Sequence, residues 1–289
     1  ARDYMQMAGR AGRQGLDDAG LVISVLDDDD LEDAPLADLF GGKVEPIVSK
    51  FNLSYSTILN LYEHLGADLM EAYDRSFAAF QAEAGNPRQR ERIRSRERAA
   101  LRARLHMLEN AGYLDADGLL PRGRLARRIN GYEIQVTELV FAGVLDRMDM
   151  HQLAVTFAAL VHEDRRRDFG APRNHGNPLK GLRQDVDNAV RRFIALEAAA
   201  GFKDTIKPPS FAIAPAADAW SRGASIESVE ELAGQDGGDF VRTMRMAVQM
   251  MRQLRTALGK SYPIHDRLAE AGVSINRDVV DAKRQFELG

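Results

Sequence analysis

The 289-residue chain contains no cysteine. That absence excludes a disulfide framework, thiol catalysis and cysteine-ligated zinc or iron–sulfur sites. A reducing cytoplasm fits that absence, and the sequence also lacks an apolar run long enough for a membrane span and a signal-peptide pattern at its start, so no membrane association is expected. Aromatic residues are sparse, at 7%, with a single tryptophan, Trp220, expected in the core. An excess of basic charge is missing too: 39 Lys and Arg stand against 43 Asp and Glu, a formal charge of -4. The chain is therefore no histone-like polycation, and any nucleic-acid surface has to be local. The six histidines, His64, His106, His151, His162, His175 and His265, show no metal-ligand spacing, so no metal site is expected.

What is present, 45% hydrophobic and 28% charged residues, is ordinary for a globular protein of two or three domains. Hydrophobic patterning predicts a mainly α chain. The run LVISV at 21–25 reads as a strand buried on both faces. The acidic, Gly-terminated stretch 26–42 reads as a surface connection with one short helix. From Phe51 to Gln81 apolar residues recur at helical spacing, with Ser54 or Ser56 available as N-cap and a break near Gly66. A loop at 82–90 leads into a helix whose first half is dense in arginine, eight of them between Arg88 and Arg104. Residues 111–129 then read as a tight wing-like hairpin and a further helix. Beyond Ile129 nearly everything is helical, in segments separated by Pro- and Gly-containing loops at 168–178 and 203–210. The final segment RDVVDAKRQFE is read as helix.

The stretch QMAGRAGR places Gln6, Gly9, Arg10, Gly12 and Arg13 in the pattern Q-x-x-G-R-x-G-R. Two arginines three residues apart, each after a glycine, are expected on one side of one helical turn beside slim backbone. Such a pair can neutralise charge spreading over a transferring phosphoryl group, where an arginine finger contributes a factor on the order of 10³ to 10⁵. Gly-Arg pairs in loops that merely meet solvent or a phosphate backbone have the same spelling. In the segment 239–258, Phe240, Val241, Met244, Val248, Met251 and Leu258 make one apolar face. Arg242, Arg245, Gln249 and Arg252 fall at i, i+3, i+7 and i+10, a polar stripe on another face that can track a phosphate backbone. The solvated face of a bundle helix reads the same way.

These blocks together resemble one family. QMAGRAGRQGLDDAGLVI is similar to the last conserved motif of superfamily-two helicases, in the form used by Ski-like, exosome-associated DExH-box RNA helicases. VEPIVSKFNLSYSTILNLYE (44–63) and RSFAAFQ (75–81) resemble the family's winged helix. LPRGRLARRINGYEIQVTELVFAGVLDRM (120–148), with AWSRGASIESVEEL and GDFVRTMRMAVQMMRQL in 219–254, resembles the C-terminal helical domain called DSHCT. The resemblance implies three parts: the end of a second RecA-like α/β motor domain at 1–45, a winged helix at 46–128, and an all-α bundle at 129–289. The long arch inserted near 88–104 in some relatives is absent. Gln6, Gly9, Arg10 and Arg13 would face the γ-phosphate of ATP, bound with Mg²⁺ mainly by the first motor domain. The helix at 239–258 would be the ratchet that touches single-stranded RNA, with Arg242 and Arg245 the leading contacts. Met246 stands where a basic residue is common, and Glu163 matches an acidic position facing the same channel.

By the same resemblance the intact protein is an ATP-dependent RNA helicase, moving 3′ to 5′ on single-stranded RNA and associated with an RNA-decay nuclease complex. A non-enzymatic winged-helix nucleic-acid-binding protein and a related DNA-repair helicase are the alternatives. The chain opens without Met and inside a motif, as a portion of a longer protein would, and it contains no G-x-x-x-x-G-K-[ST] loop and no D-E-x-H box. No ATP or Mg²⁺ is expected on these residues alone. An ATPase assay on the 289 residues with and without RNA is therefore expected to show no turnover, and turnover abolished by Arg13→Ala would contradict this.

Overall fold

The computed structural model describes residues 2–13, 15–27, 36–40, 49, 53–82, 86–163, 177–202, 206–233 and 237–282. Among these the protein is mainly α-helical, with one two-stranded hairpin. The N-terminal part has little structure of its own. Helix α1 (Arg2–Ala8) and the short α2 (Leu36–Phe40) meet through Tyr4 and Phe40, whose rings pack edge-on at 5.4 Å. The expected buried strand at 21–25 is not formed: no strand is assigned there, and Leu21, Ile23 and Val25 are 82%, 79% and 91% exposed. The reason is pairing. The hairpin is the only sheet among the described residues, so 21–25 has no neighbouring strand to take up its N–H and C=O groups.

Helix α3 (Tyr55–Leu65) starts at Ser54, which accepts the Thr57 N–H at 3.2 Å as N-cap. The helix stops at Gly66, as expected, and a 3₁₀ segment (Gly66–Glu71) buries Leu69. Helix α4 (Phe77–Ala82) follows. Helix α5 (Pro87–Asn110) is started by Asn86, which accepts the Gln89 N–H at 3.0 Å, with Pro at the first helical position. Strands β1 (Leu114–Asp115) and β2 (Gly118–Leu119) form the expected hairpin, its turn held by Asp115 Oδ1 accepting the Asp117 and Gly118 N–H groups. Helix α6 (Pro121–Ala126) packs tightly behind it: a Cβ on Gly123 would lie 2.1 Å from the Tyr113 carbonyl oxygen.

The remaining helices are α7 (Glu133–Phe141), α8 (Met150–Val161), α9 (Asn177–Ala199), α10 (Ala214–Ser221), α11 (Ile226–Ala233), α12 (Gly237–Leu258) and α13 (His265–Ile275). Helix α8 is the axle of the bundle. Asp149 and Gln152 form a capping box at its start, every residue from Leu153 to Val161 is buried, and α10, α12 and α13 pack around it. It ends at Val161, before the HEDRR stretch expected to continue it, and residues 164–176 lie outside the described set. Of the expected C-terminal helix at 277–287, the described part is a 3₁₀ turn (Asp278–Val280) followed by Ala282 in helical conformation, and 283–289 lie outside that set. Trp220 is buried as expected. Its ring packs edge-on to Phe240 at 5.8 Å, its Nε1–H donates to the Ile275 carbonyl at 2.9 Å, and the Arg277 guanidinium covers its face at 3.6 Å.

Among the described residues there are two hydrophobic clusters. The larger gathers buried residues from Leu125 to Val280, while the smaller joins α3, α5 and the hairpin to Ile134, Phe193 and Ile206. Phe193 of α9 lies between Tyr55 and Tyr113, edge-on to each at 5.5 Å. Polar bonds reinforce the junction. The Tyr55 hydroxyl donates to Glu197 Oε1 at 2.5 Å and the Tyr113 hydroxyl to Glu138 Oε1 at 2.8 Å, while the Ser56 N–H donates to Glu133 Oε1 at 2.9 Å. All three glutamates are buried. Burial, and then the facing carboxylates, push both phenols far above their ordinary range. Unfolded phenols titrate near pH 10, so above that pH the folded state holds more protons than the unfolded one and stability falls as pH rises. Thermal unfolding followed by circular dichroism is expected to give a midpoint that is level below about pH 9 and declines above about pH 10. Tyr113→Phe is expected to reduce that decline and to cost about 1 kcal/mol at neutral pH.

Candidate nucleic-acid interface

Helix α12 carries the stripe read from the sequence, and its packing sorts the stripe into two kinds of residue. Phe240, Met244, Val248 and Met251 face the core. Arg242, Gln249 and Arg252 are exposed, spread over about 15 Å at 1.5 Å per residue. Arg245 is half-buried and already engaged: its Nε donates to the Val280 carbonyl at 2.9 Å and an Nη to the Val279 carbonyl at 2.8 Å. It fastens the 3₁₀ turn to the helix. The side chains of Arg242 and Arg252 make no hydrogen bond or ion pair among the described residues and are the available cations of the stripe. The far end of α12 is tied to the segment before α7, where Gln253 accepts the Asn130 N–H at 2.8 Å and Arg128 donates to the Ala257 carbonyl at 3.3 Å.

Glu163 and Arg242 come together although 79 residues separate them in sequence. Both line a notch of about 70 Å³ with Val161, His162, Asp239, Thr243 and Met246. The space holds a couple of waters and no base ring. Met246, where a basic residue was noted as absent, is half-buried and forms part of this wall. Glu163 has a partner that the sequence did not suggest: Lys207 Nζ lies 2.7 Å from its Oε1, with both side chains 60% exposed. The hydrogen bond from Lys207 and the charge of Glu163 raise the ammonium above its usual range. Tyr132 stands beside them, its phenol raised first by burial and then by Glu163. Lys207 precedes Pro208 and Pro209, and its carbonyl accepts from Gln135 Nε2 at 3.1 Å. A lysine before a Pro-Pro pair was the only sequence signal for it, since Pro holds the chain extended and out of helices. The interface is thus a mixed-charge edge of Arg242, Lys207, Glu163 and Tyr132, continued along α12 by Gln249 and Arg252.

The N-terminal motif lies elsewhere and is shaped differently from expectation. Helix α1 ends at Ala8, so Gln6 is in its last turn while Gly9, Arg10 and Arg13 follow in turns. The two arginines do not share a helical turn, because Gly12 adopts φ +81° and breaks it. Gly20 is required by close approach: a Cβ there would lie 2.3 Å from the Ala11 carbonyl oxygen. Gln6, Gly9, Arg10 and Arg13 are all exposed. Arg13 is forked onto Asp17, with Nε 3.2 Å and its backbone N 2.8 Å from Oδ2, and the Arg13 hydrogen bonds hold the Asp17 carboxyl below its usual range. The donor set is guanidinium and amide, suited to an anion. Among the described residues no cluster of three His, Asp or Glu side chains is arranged for a cation.

These roles separate Arg245 from Arg242 in a simple comparison. Arg245→Ala is expected to lower unfolding stability by about 1–3 kcal/mol through loss of two charge-assisted hydrogen bonds. Arg242→Ala is expected to leave it within about 0.5 kcal/mol. Urea unfolding of the two variants reads the difference, and equal losses would contradict the assignment.

The chain matches the DSHCT (NUC185) domain over residues 116–283. It is 28% identical over 200 residues to the DExH-box ATP-dependent RNA helicase DExH10 of Arabidopsis thaliana, which covers 65% of this chain and 20% of that protein. It is 36% identical over 190 residues to the superkiller complex protein 2 of Mus musculus, covering 62% of this chain and 15% of the relative. An 80-residue stretch, 27% of this chain, is 42% identical to the ATP-dependent RNA helicase mtr4 of Schizosaccharomyces pombe and covers 7% of it. The chain thus spans at most a fifth of the length of these relatives. Among the described residues no helix is long and apolar enough to cross a membrane. With a domain match over more than half its length, and similarity to Ski-like DExH-box RNA helicases beside it, the chain belongs to the DSHCT family.

Proposed function

We propose that these residues are the C-terminal part of an ATP-dependent RNA helicase that translocates along single-stranded RNA and unwinds duplexes in RNA processing or decay. The observation that carries the reading is the edge formed by α12 with Lys207 and Glu163, in a chain similar to proteins named as ATP-dependent RNA helicases. Helix α12 acts as the ratchet. Arg242 and Arg252 take phosphate oxygens, and Gln249 between them adds a neutral donor. Glu163 cannot serve a phosphate. Held by Lys207, it presents an acceptor to a base amino group or a ribose 2′-hydroxyl, the group that distinguishes RNA from DNA. Arg245 contributes by holding the 3₁₀ turn against α12 and so keeping the helix seated.

Gln6, Arg10 and Arg13 fit the γ-phosphate of a nucleotide held by the first motor domain. Their donors match its oxygens, and Arg13 would exchange one oxyanion, Asp17, for another. ATP, when bound there with Mg²⁺, supplies the free energy for strand movement. The residues of this chain supply charge neutralisation through two guanidinium groups on a slim glycine backbone. Association with an RNA-decay nuclease complex belongs to the same reading, supported by the superkiller complex protein among the relatives.

Competition of single-stranded RNA against DNA of equal sequence, at stated salt, tests the substrate, with RNA expected to bind more tightly. Equal affinity would undo the RNA assignment. Arg242→Ala is expected to weaken RNA binding and to lower the slope of log affinity against log salt by about 0.7, one phosphate contact.

A further inference from the structure

The eight arginines of α5 do not share one role. Around the helix, Leu101, Leu105 and Leu108 mark the packed side, and Arg94 and Arg98 fall on it. Both close on Asp74, Arg94 Nε at 2.7 Å from its Oδ1 and Arg98 in contact with its Oδ2. Burial works to raise the Asp74 carboxyl, but the hydrogen bonds from these two arginines outweigh it and hold the group below its usual range. Arg104 is also turned inward, its guanidinium 4.6 Å above the Phe202 ring.

Arg88, Arg92, Arg96 and Arg102 occupy the opposite side, within an arc of about 120° at 3.6 residues per turn. All four are exposed, and none makes an ion pair or hydrogen bond among the described residues. Ser95 and Ala99 lie between them, and Glu91 stands only at the margin. No residue of the helix is fully buried before Leu101, so its first half lies at the surface, held on one side through Arg94 and Arg98, while its second half is anchored in the smaller core. The stripe runs about 21 Å at 1.5 Å per residue.

Three features of this stripe narrow its partner. Like charges at i,i+4 destabilise a helix on their own, so a stripe of this kind is better accounted for by a partner that supplies negative charge than by folding. The helix uses eight arginines and no lysine against three glutamates, in a chain of formal charge -4, and the forked guanidinium suits phosphate oxygens where solubility alone is served by lysine. Between Arg88 and Arg102 the outward arc contains no apolar side chain larger than alanine and no aromatic one, so a protein partner would find no large anchor there, whereas a phosphate backbone needs none. We infer that the outward face of α5 is a second RNA-binding surface, distinct from α12, which holds the phosphate backbone without reading sequence. The inference rests on the helicase reading for the identity of the polyanion.

The test uses the full chain and a labelled single-stranded RNA of mixed sequence, titrated across salt concentrations. Arg88→Gln, Arg92→Gln and Arg96→Gln together are expected to weaken binding at least tenfold at low salt and to lower the salt slope by about 2, at 0.7 per contact. The same three positions changed to Lys are expected to keep the slope. Gln and Lys have helix propensities close to Arg, and far-ultraviolet circular dichroism checks that the helix persists. An unchanged slope in the Gln variant, with Arg242→Ala still weakening binding, overturns this inference and leaves the helicase reading standing. Equal loss in the Lys variant overturns it as well, since phosphate charge would then not be what the face recognises. Absence of RNA binding by the unsubstituted chain at low salt overturns both.

Discussion

Three buried carboxylates hold the rest of the structure in register. Glu133 and Glu138 of α7 and Glu197 of α9 accept hydrogen bonds from the Ser56 N–H, the Tyr113 hydroxyl and the Tyr55 hydroxyl. Glu197 Oε2 also accepts the Ile206 N–H at 3.0 Å, and Arg122 stands 3.4 Å from Glu138. A carboxylate removed from water is tolerated only where such donors replace its hydration, so each bond constrains both of its partners. The helical section 53–126 can dock on the bundle in one way that satisfies all three. Phe193, wedged between the two tyrosines, adds the apolar part of the same junction.

Two working surfaces follow from that docking. With its second half locked into the smaller core and Arg94 and Arg98 held on Asp74, α5 turns the opposite face of its first half to the surface. With α8 as the buried axle, α12 presents its polar stripe on the far side of its apolar face. The edge near Glu163 exists because α8 ends at Val161, the chain passes through Glu163, and the 207–212 segment returns beside it, where the Ser210 N–H donates to the Ala159 carbonyl at 2.8 Å. Arginine is used in two ways throughout. Arg245, Arg267 and Arg277 spend their guanidinium groups on backbone carbonyls, Arg267 on Met148 at 2.7 Å. Arg242, Arg252 and the outward arginines of α5 do not. The residue type is the same, and only its neighbours separate a structural cation from one available to a polyanion.

Much of the helical architecture was legible because it is written locally. Ser54 announces a helix start by side-chain geometry, Gly66 announces a stop, and the Asp115–Gly118 turn closes a hairpin within four residues, whereas Asn86 and Pro87, read as part of a loop at 82–90, are the cap and first residue of α5. The apolar stripe of α12 needs only a period of 3.6. Helix α7 was harder, because EIQVTELVF is buried from Glu133 to Val140 and its glutamates read as surface residues until their donors are known. The segment 21–25 shows the opposite error: a β-branched apolar run states a preference for a sheet, but a strand exists only when another supplies the hydrogen bonds.

The sequence by itself determined that the chain is mainly helical, which helix faces are apolar, which residues make the Gln6, Gly9, Arg10 and Arg13 motif, and which family the blocks resemble. Those are short-range properties, set by propensity, capping and periodicity. Only the tertiary structure decided that Arg245 is occupied and Arg242 is not, that Lys207 stands against Glu163, and that Arg94 and Arg98 are neutralised while Arg88, Arg92 and Arg96 are left outward. The reason is physical: a charge acquires its role from what lies within a few ångströms of it, and those neighbours come from residues 20 to 44 positions away in sequence.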